Sequence, residues 1–126
     1  MRLAGARARA PLQVEGWTLG RFCDEIGTRF ADRPAVIAAD RTAGAGLRRL
    51  RYGEMTREVH ALQAALAELG LAPGERVGVM LSSVPEWILY LFAVTRLGAI
   101  FLPINTRYRD RELAHVMKHS GARMLI

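Results

Sequence analysis

The residues best suited to hold a polar ligand lie in Asn105 to Arg109, NTRYR, directly after an apolar run stopped by Pro103. In open α/β sheets ligands bind at the C-terminal ends of parallel strands, so Asn105, Arg107 and Tyr108 have a geometric claim to a site. The ordinary roles compete with that claim: Asn105 turning the chain, and Arg107, Arg109 and Arg111 facing water. His115 and His119 are four apart, a spacing that can hold a metal, but HVMKH lacks the Glu a zinc hydrolase uses as its base. A solvated helix face is the expectation there, and no metal site is assigned. Gly44-Ala45-Gly46 lacks the third glycine of a dinucleotide loop and opens a strand instead of a helix. Arg41, Arg48, Arg49 and Arg51 cluster without interleaved aromatics to stack on bases, so alternation places them on a solvated face and no nucleic acid is expected. Cys23 is expected as a small buried hydrophobe and His60 as a boundary histidine without a metal-spaced partner.

The elements that must position these residues centre on Arg76 to Ile104, RVGVMLSSVPEWILYLFAVTRLGAIFLPI. Val77 to Leu81 is a short apolar run without helical period after the turn pair Pro73-Gly74, which reads as a central strand buried on both faces. Ser83 and Glu86 have N-cap and N3 spacing, with Pro85 in the first turn, so a helix starts there and Gly98 ends it. Its residues leave almost no polar face, which places it in the core. Ala99 to Leu102 is the next strand, and a strand, helix and strand of this length form a right-handed βαβ unit in a parallel sheet.

Upstream, Thr18 caps a helix whose Leu19, Phe22, Cys23, Ile26 and Phe30 share a face. Ala35 to Ala39 and Leu47 to Tyr52 are short strands joined by the loop Asp40 to Gly46, and they fit a hairpin. Gly53 to Gly70 is a helix striped by Met55, Val59, Leu62, Leu66 and Leu69, closed by Gly70. Downstream, Asp110 opens a helix with Leu113, Val116 and Met117 inward. Gly121 closes it, and Ala122 to Ile126 begins a further strand.

A chain of 126 residues allows one domain with a modest core. The net charge of +6 comes from arginine, Lys118 being the only lysine, and is given little weight as a sign of a partner. A single cysteine allows no intrachain disulfide, so a cytoplasmic setting is expected. Residues 1–17 read as a flexible basic arm without the apolar stretch of a secretory signal, and 18–126 as the folded part. Arg96, Gly98 and Pro103 interrupt the longest apolar run, well short of the ~20 residues a membrane span needs.

The order of elements, with the words RPAVI (33–37), RYGEM (51–55), GLAPGERVGVML (70–81), PEWILYLFAVTRLGAIFLPIN (85–105) and HSGARMLI (119–126), resembles the N-terminal part of the adenylate-forming enzymes. Within that superfamily of AMP-dependent synthetases and ligases the chain looks most like the acyl-CoA synthetases. The resemblance runs from about Thr18 to Ile126 and implies an α/β, parallel-sheet, layered N-terminal subdomain that is incomplete at its C-terminus. Three positions depart from the usual pattern: Arg51 stands where Thr commonly opens the long helix, Val84 where Ser precedes Pro85, and Arg109-Asp110 where Thr-Pro starts the last helix.

The resemblance implies a two-step reaction. A carboxylate attacks the α-phosphate of Mg-ATP to give an acyl adenylate and pyrophosphate, and the thiol of coenzyme A then displaces AMP. The family performs it with a Ser/Thr/Gly-rich loop ending in Pro-Lys-Gly, a Thr-Glu pair, a ribose-binding Asp and a Lys in a mobile C-terminal domain. None of these matches this chain, in which Lys118 precedes His119. ATP, Mg2+, coenzyme A and the carboxylic-acid substrate are therefore expected for an intact family enzyme and not for these residues alone. No catalytic residue is assigned. The competing expectation is a non-catalytic interaction module that reuses the fold and self-associates through an exposed sheet edge.

Overall fold

The computed structural model describes residues 14–40 and 46–126. Most of the expected arm, Arg41 and the Gly44-Ala45 pair lie outside the described residues. Nine elements follow in order: helix α1 (Leu19–Arg29), strands β1 (Pro34–Asp40) and β2 (Gly46–Arg51), helix α2 (Tyr52–Glu68), strand β3 (Arg76–Val79), helix α3 (Pro85–Arg96), strand β4 (Ile100–Pro103), helix α4 (Asp110–Ser120) and strand β5 (Met124–Leu125).

β3 is the middle strand of a parallel sheet in the order β4-β3-β5. Arg76 to Val79 pair with Ile100 to Pro103 on one side, and Val77 and Gly78 with Met124 and Leu125 on the other. The expected βαβ order is thus present with β3 central. The strand ends at Val79, although the Met80 N–H still donates to the Ile126 carbonyl at 2.7 Å. The final strand is paired on its β3 side, and Leu125 remains 44% exposed.

β1 and β2 form a separate antiparallel hairpin, with Ala38 opposite Arg48. Tyr52, expected to end β2, instead opens α2, because its N–H donates to the Arg33 carbonyl and the Gly53 N–H to that of Ala31. α1, α2 and α3 pack on one another, with α3 lying on the parallel sheet and α2 and α3 touching the hairpin. Cys23, Val59, Val77, Val79 and Val94 are fully buried at the centre.

Side chains alternate across a strand. Val77 and Val79 therefore enter the helix-packed core, while Gly78 faces the other side, where a Cβ would meet Ile104, Met117 and Leu125 at 2.7–3.2 Å. The bare glycine lets α4 lie against β3.

Four helix ends follow local chemistry. The Thr18 hydroxyl accepts from the Arg21 N–H at 3.1 Å, and Gly70, Gly98 and Gly121 take positive φ after α2, α3 and α4. The three departures from the family pattern, Arg51, Val84 and Arg109, are the N-caps of α2, α3 and α4, and none makes a side-chain cap bond. Glu54 and Glu112 compensate by accepting from the Arg51 and Arg109 N–H groups at 2.8 and 3.0 Å.

Ser83 does not cap α3 as its spacing suggested. Val84 holds that position with Pro85 first in the helix, and the Val84 N–H donates to the Ser82 carbonyl, closing a turn one residue later. Leu19 and Leu69 also leave their stripes, at 47% and 72% exposed, since each sits at a helix terminus beyond its packing partner.

Candidate functional site

The C-terminal ends of β3 and β4 open into a cleft of about 660 Å³. Its walls are Val36 to Ala38 of β1 and the segment from Leu81 through the first turn of α3, and Ile104 to Thr106 close it below. Pro103 stops β4, and the Ile104 N–H donates to the Val79 carbonyl at 2.9 Å, which sets the chain's exit beside β3. Trp87 reaches the cleft from α3 and is fixed edge-on against Phe101, with ring centroids 5.1 Å apart.

Ser82, Ser83, Asn105 and Thr106 are the polar members of a lining that is otherwise apolar, and the described lining carries no charged side chain. Such a surface can exclude water and offer hydroxyl and amide hydrogen bonds. Binding a triphosphate takes cations, a metal or a nest of backbone amides in addition.

Arg48 makes a polar bridge beside this cleft. Its guanidinium donates to Glu86 Oε1 at 2.6 Å and Glu58 Oε2 at 3.2 Å, so one β2 side chain ties the hairpin to the first turn of α3 and to α2. Sequence alternation placed Arg48 on a solvated face and Glu86 in a capping role. Arg48 does keep a solvated side chain, but Glu86 binds it instead of capping α3, and partners 10 and 38 residues from Arg48 leave no trace in local periodicity. Arg49 and Arg51 are exposed as expected.

The three loop candidates part company. Asn105 lines the cleft, and its Oδ1 also accepts from the Arg107 N–H at 3.0 Å while its carbonyl accepts from the Tyr108 N–H, which makes it the pivot of a turn. Arg107 is exposed outside the cleft lining. Tyr108 borders a different groove with Arg111, Glu112, His115 and Val116. Among the described residues no three His, Cys, Asp or Glu side chains come together as a metal site.

A second polar cluster joins the three packed helices. Asp24 of α1 contacts His60 of α2 at 2.8 Å and forms an ion pair with Arg96 of α3, whose guanidinium also donates to the Gly20 carbonyl at 3.3 Å. Burial pushes the Asp24 carboxyl upward, but hydrogen bonds from Arg96 and His60 outweigh it and hold the group below the usual carboxylate range. His60 thus has a partner that its spacing did not reveal. Cys23 lies beside this cluster, fully buried, with its thiol 3.9 Å from the Thr56 hydroxyl. Burial pushes the thiol's pKa up, as befits an inert core cysteine.

No helix among the described residues is long and apolar enough to cross a membrane. An acyl-CoA ligase from Ajellomyces capsulatus, SID4, is 32% identical over 122 residues, covering 95% of this chain and 20% of that protein. The phosphinothricin tripeptide synthetase PhsC of Streptomyces viridochromogenes is 33% identical over 109 residues, covering 86% of this chain and 9% of that protein. The solved N-terminal subdomain of Klebsiella oxytoca NpsA, in complex with anthranilyl-AMSN, superposes with a TM-score of 0.77 at 30% identity over 86% of this chain and 27% of that one. The chain therefore spans about a fifth of the ligase's length and a smaller share of the synthetase's. Residues 23–126 match the AMP-binding enzyme family, and the chain belongs to that family as its N-terminal part.

Proposed function

We propose that this chain is the N-terminal wall of an acyl-CoA ligase that converts a carboxylic acid to its acyl adenylate with Mg-ATP and then to a thioester with coenzyme A. The observation that carries the reading is the 32% identity to an acyl-CoA ligase across 95% of the chain. The open cleft at the C-terminal strand ends supports it, since that edge is where a sheet of this type presents its ligands. In this reading the folded unit begins near Thr18 after an arm of 1–17, and the single cysteine suits a cytoplasmic enzyme.

The chain's own residues act by shape. Trp87, Ile88 and Ile104 keep water from one side of the cleft, Asn105 holds the exit turn, and Arg48 bridges the hairpin to Glu86 of α3. ATP supplies the adenylyl group, and the cations that steady its phosphates come from sequence outside these residues. A second reading has support from the match to a tripeptide synthetase: the same adenylation, with a different acceptor thiol.

The test is ATP–pyrophosphate exchange with a panel of carboxylic acids, followed by a thioester assay with coenzyme A. The 126 residues alone give background exchange, and a protein extending beyond Ile126 in the same frame gives carboxylate-dependent exchange and a coenzyme A thioester. Exchange above background from the 126 residues overturns the assignment of these residues as scaffold. Exchange without a coenzyme A thioester moves the assignment to the second reading.

A further inference from the structure

We propose that His115 and His119 form a two-imidazole site for a borderline divalent transition ion of the copper and zinc class, and that the bound ion staples α4. The two rings project one turn apart from the same side of α4, with centroids 5.8 Å apart and planes inclined by only 10°. Both residues are exposed, and neither imidazole has a hydrogen-bonding partner among the described residues, so their nitrogens are available to a ligand.

Residues four apart on a helix stand about 5–6 Å apart at Cβ, and metal–imidazole bonds are about 2.0–2.1 Å, so turning the two exposed rings out of their parallel stack about χ1 and χ2 brings a nitrogen of each onto one ion. Imidazole pairs suit Cu2+, Ni2+ and Zn2+ and not the hard cation that accompanies ATP. No third protein ligand is grouped with the pair among the described residues, which leaves the remaining positions to water or an outside ligand.

The consequence for the fold follows from how α4 is held. None of its residues is buried, Leu113, Val116, Met117 and Ser120 are only partly covered, and Met117 reaches the Gly78 position of β3. A chelate across its last two turns stiffens the helix that leads from β4 into β5. The site is separate from the cleft, whose described lining contains neither histidine.

The test is calorimetric titration of the 126-residue protein with Cu2+ at neutral pH, beside His115→Ala, His119→Ala and His60→Ala. The wild-type protein and His60→Ala bind one ion with equal affinity, and each α4 variant loses about tenfold or more, the cost of removing one arm of a chelate. Amide hydrogen exchange across 110–120 slows when the ion binds to wild type and is unchanged in the α4 variants. Undiminished affinity in both α4 variants places the ion elsewhere and overturns the proposal. So does an absence of binding in wild type, or a matching loss in His60→Ala. The exposed positions allow all three variants to fold.

Discussion

Replacing Phe92 by alanine lowers the free energy of unfolding by about 3–5 kcal/mol, read from urea denaturation followed by tryptophan fluorescence. Phe92 is 6% exposed on α3, in the part of the core where α1, α2 and the sheet meet the helix. Truncation removes the transfer energy of the ring and leaves a cavity in a core whose fully buried residues include Val59, Val77, Val79 and Val94, β-branched chains with few alternative rotamers to fill it. Against a total stability of about 5–15 kcal/mol for a domain, this is enough to populate unfolded protein. Phe92→Leu keeps most of the volume and costs less than half as much. A loss below about 1 kcal/mol for Phe92→Ala would show that α3 is not the packed centre of the fold.

The second large effect concerns Gly27, where α1 crosses α2. An added Cβ would overlap Thr56 Oγ1 and lie 2.8 Å from Thr56 Cβ, well inside contact distance. Thr56 cannot swing aside freely, because its hydroxyl donates to the Tyr52 carbonyl at 2.9 Å and lies 3.4 Å from the Cys23 carbonyl. Gly27→Ala therefore pushes α1 off α2 and costs about 1–3 kcal/mol, more than the roughly 1 kcal/mol of helix propensity it gains. Adding Thr56→Ala removes the nearest atom and restores part of the loss. Gly27→Ala at or above wild-type stability in the same urea experiment contradicts the close crossing, as does a double variant no better than the single.

The features legible in the sequence were the ones encoded locally. Apolar runs of strand length around a helix gave the β3-α3-β4 unit, and Thr18, Gly70, Gly98 and Gly121 marked helix ends where the structure has them. Cys23 followed from its place on an amphipathic stripe. The illegible features join residues distant in sequence: Asp24 to His60 and Arg96 across 36 and 72 residues, and Arg48 to Glu86 across 38. A charge pattern along one element cannot say which other element will face it. The α3 cap was misread for a related reason, since Ser83 has capping spacing but the turn closes at Val84.

The candidate loop was legible as a position and not as a constellation. Topology brought Asn105 to the end of β4, while the turn that Asn105 itself forms sent Tyr108 toward α4. The β1 wall was missed because pairing signals show that a hairpin forms without showing where it packs. Leu50, Ala35 and Val36 pack it into the core, and Arg48 adds a polar bridge to Glu58 and Glu86.

The central claim is that these residues are the N-terminal wall of a longer carboxylate-activating enzyme. The most direct measurement is to sequence the gene past the codon for Ile126 and translate it in the same frame. The account predicts that the frame continues into a Ser/Thr/Gly-rich loop ending in Lys-Gly, a cationic phosphate cradle absent from the described lining of the cleft. A stop codon immediately after Ile126 would contradict it and favour a fold that works without adenylation.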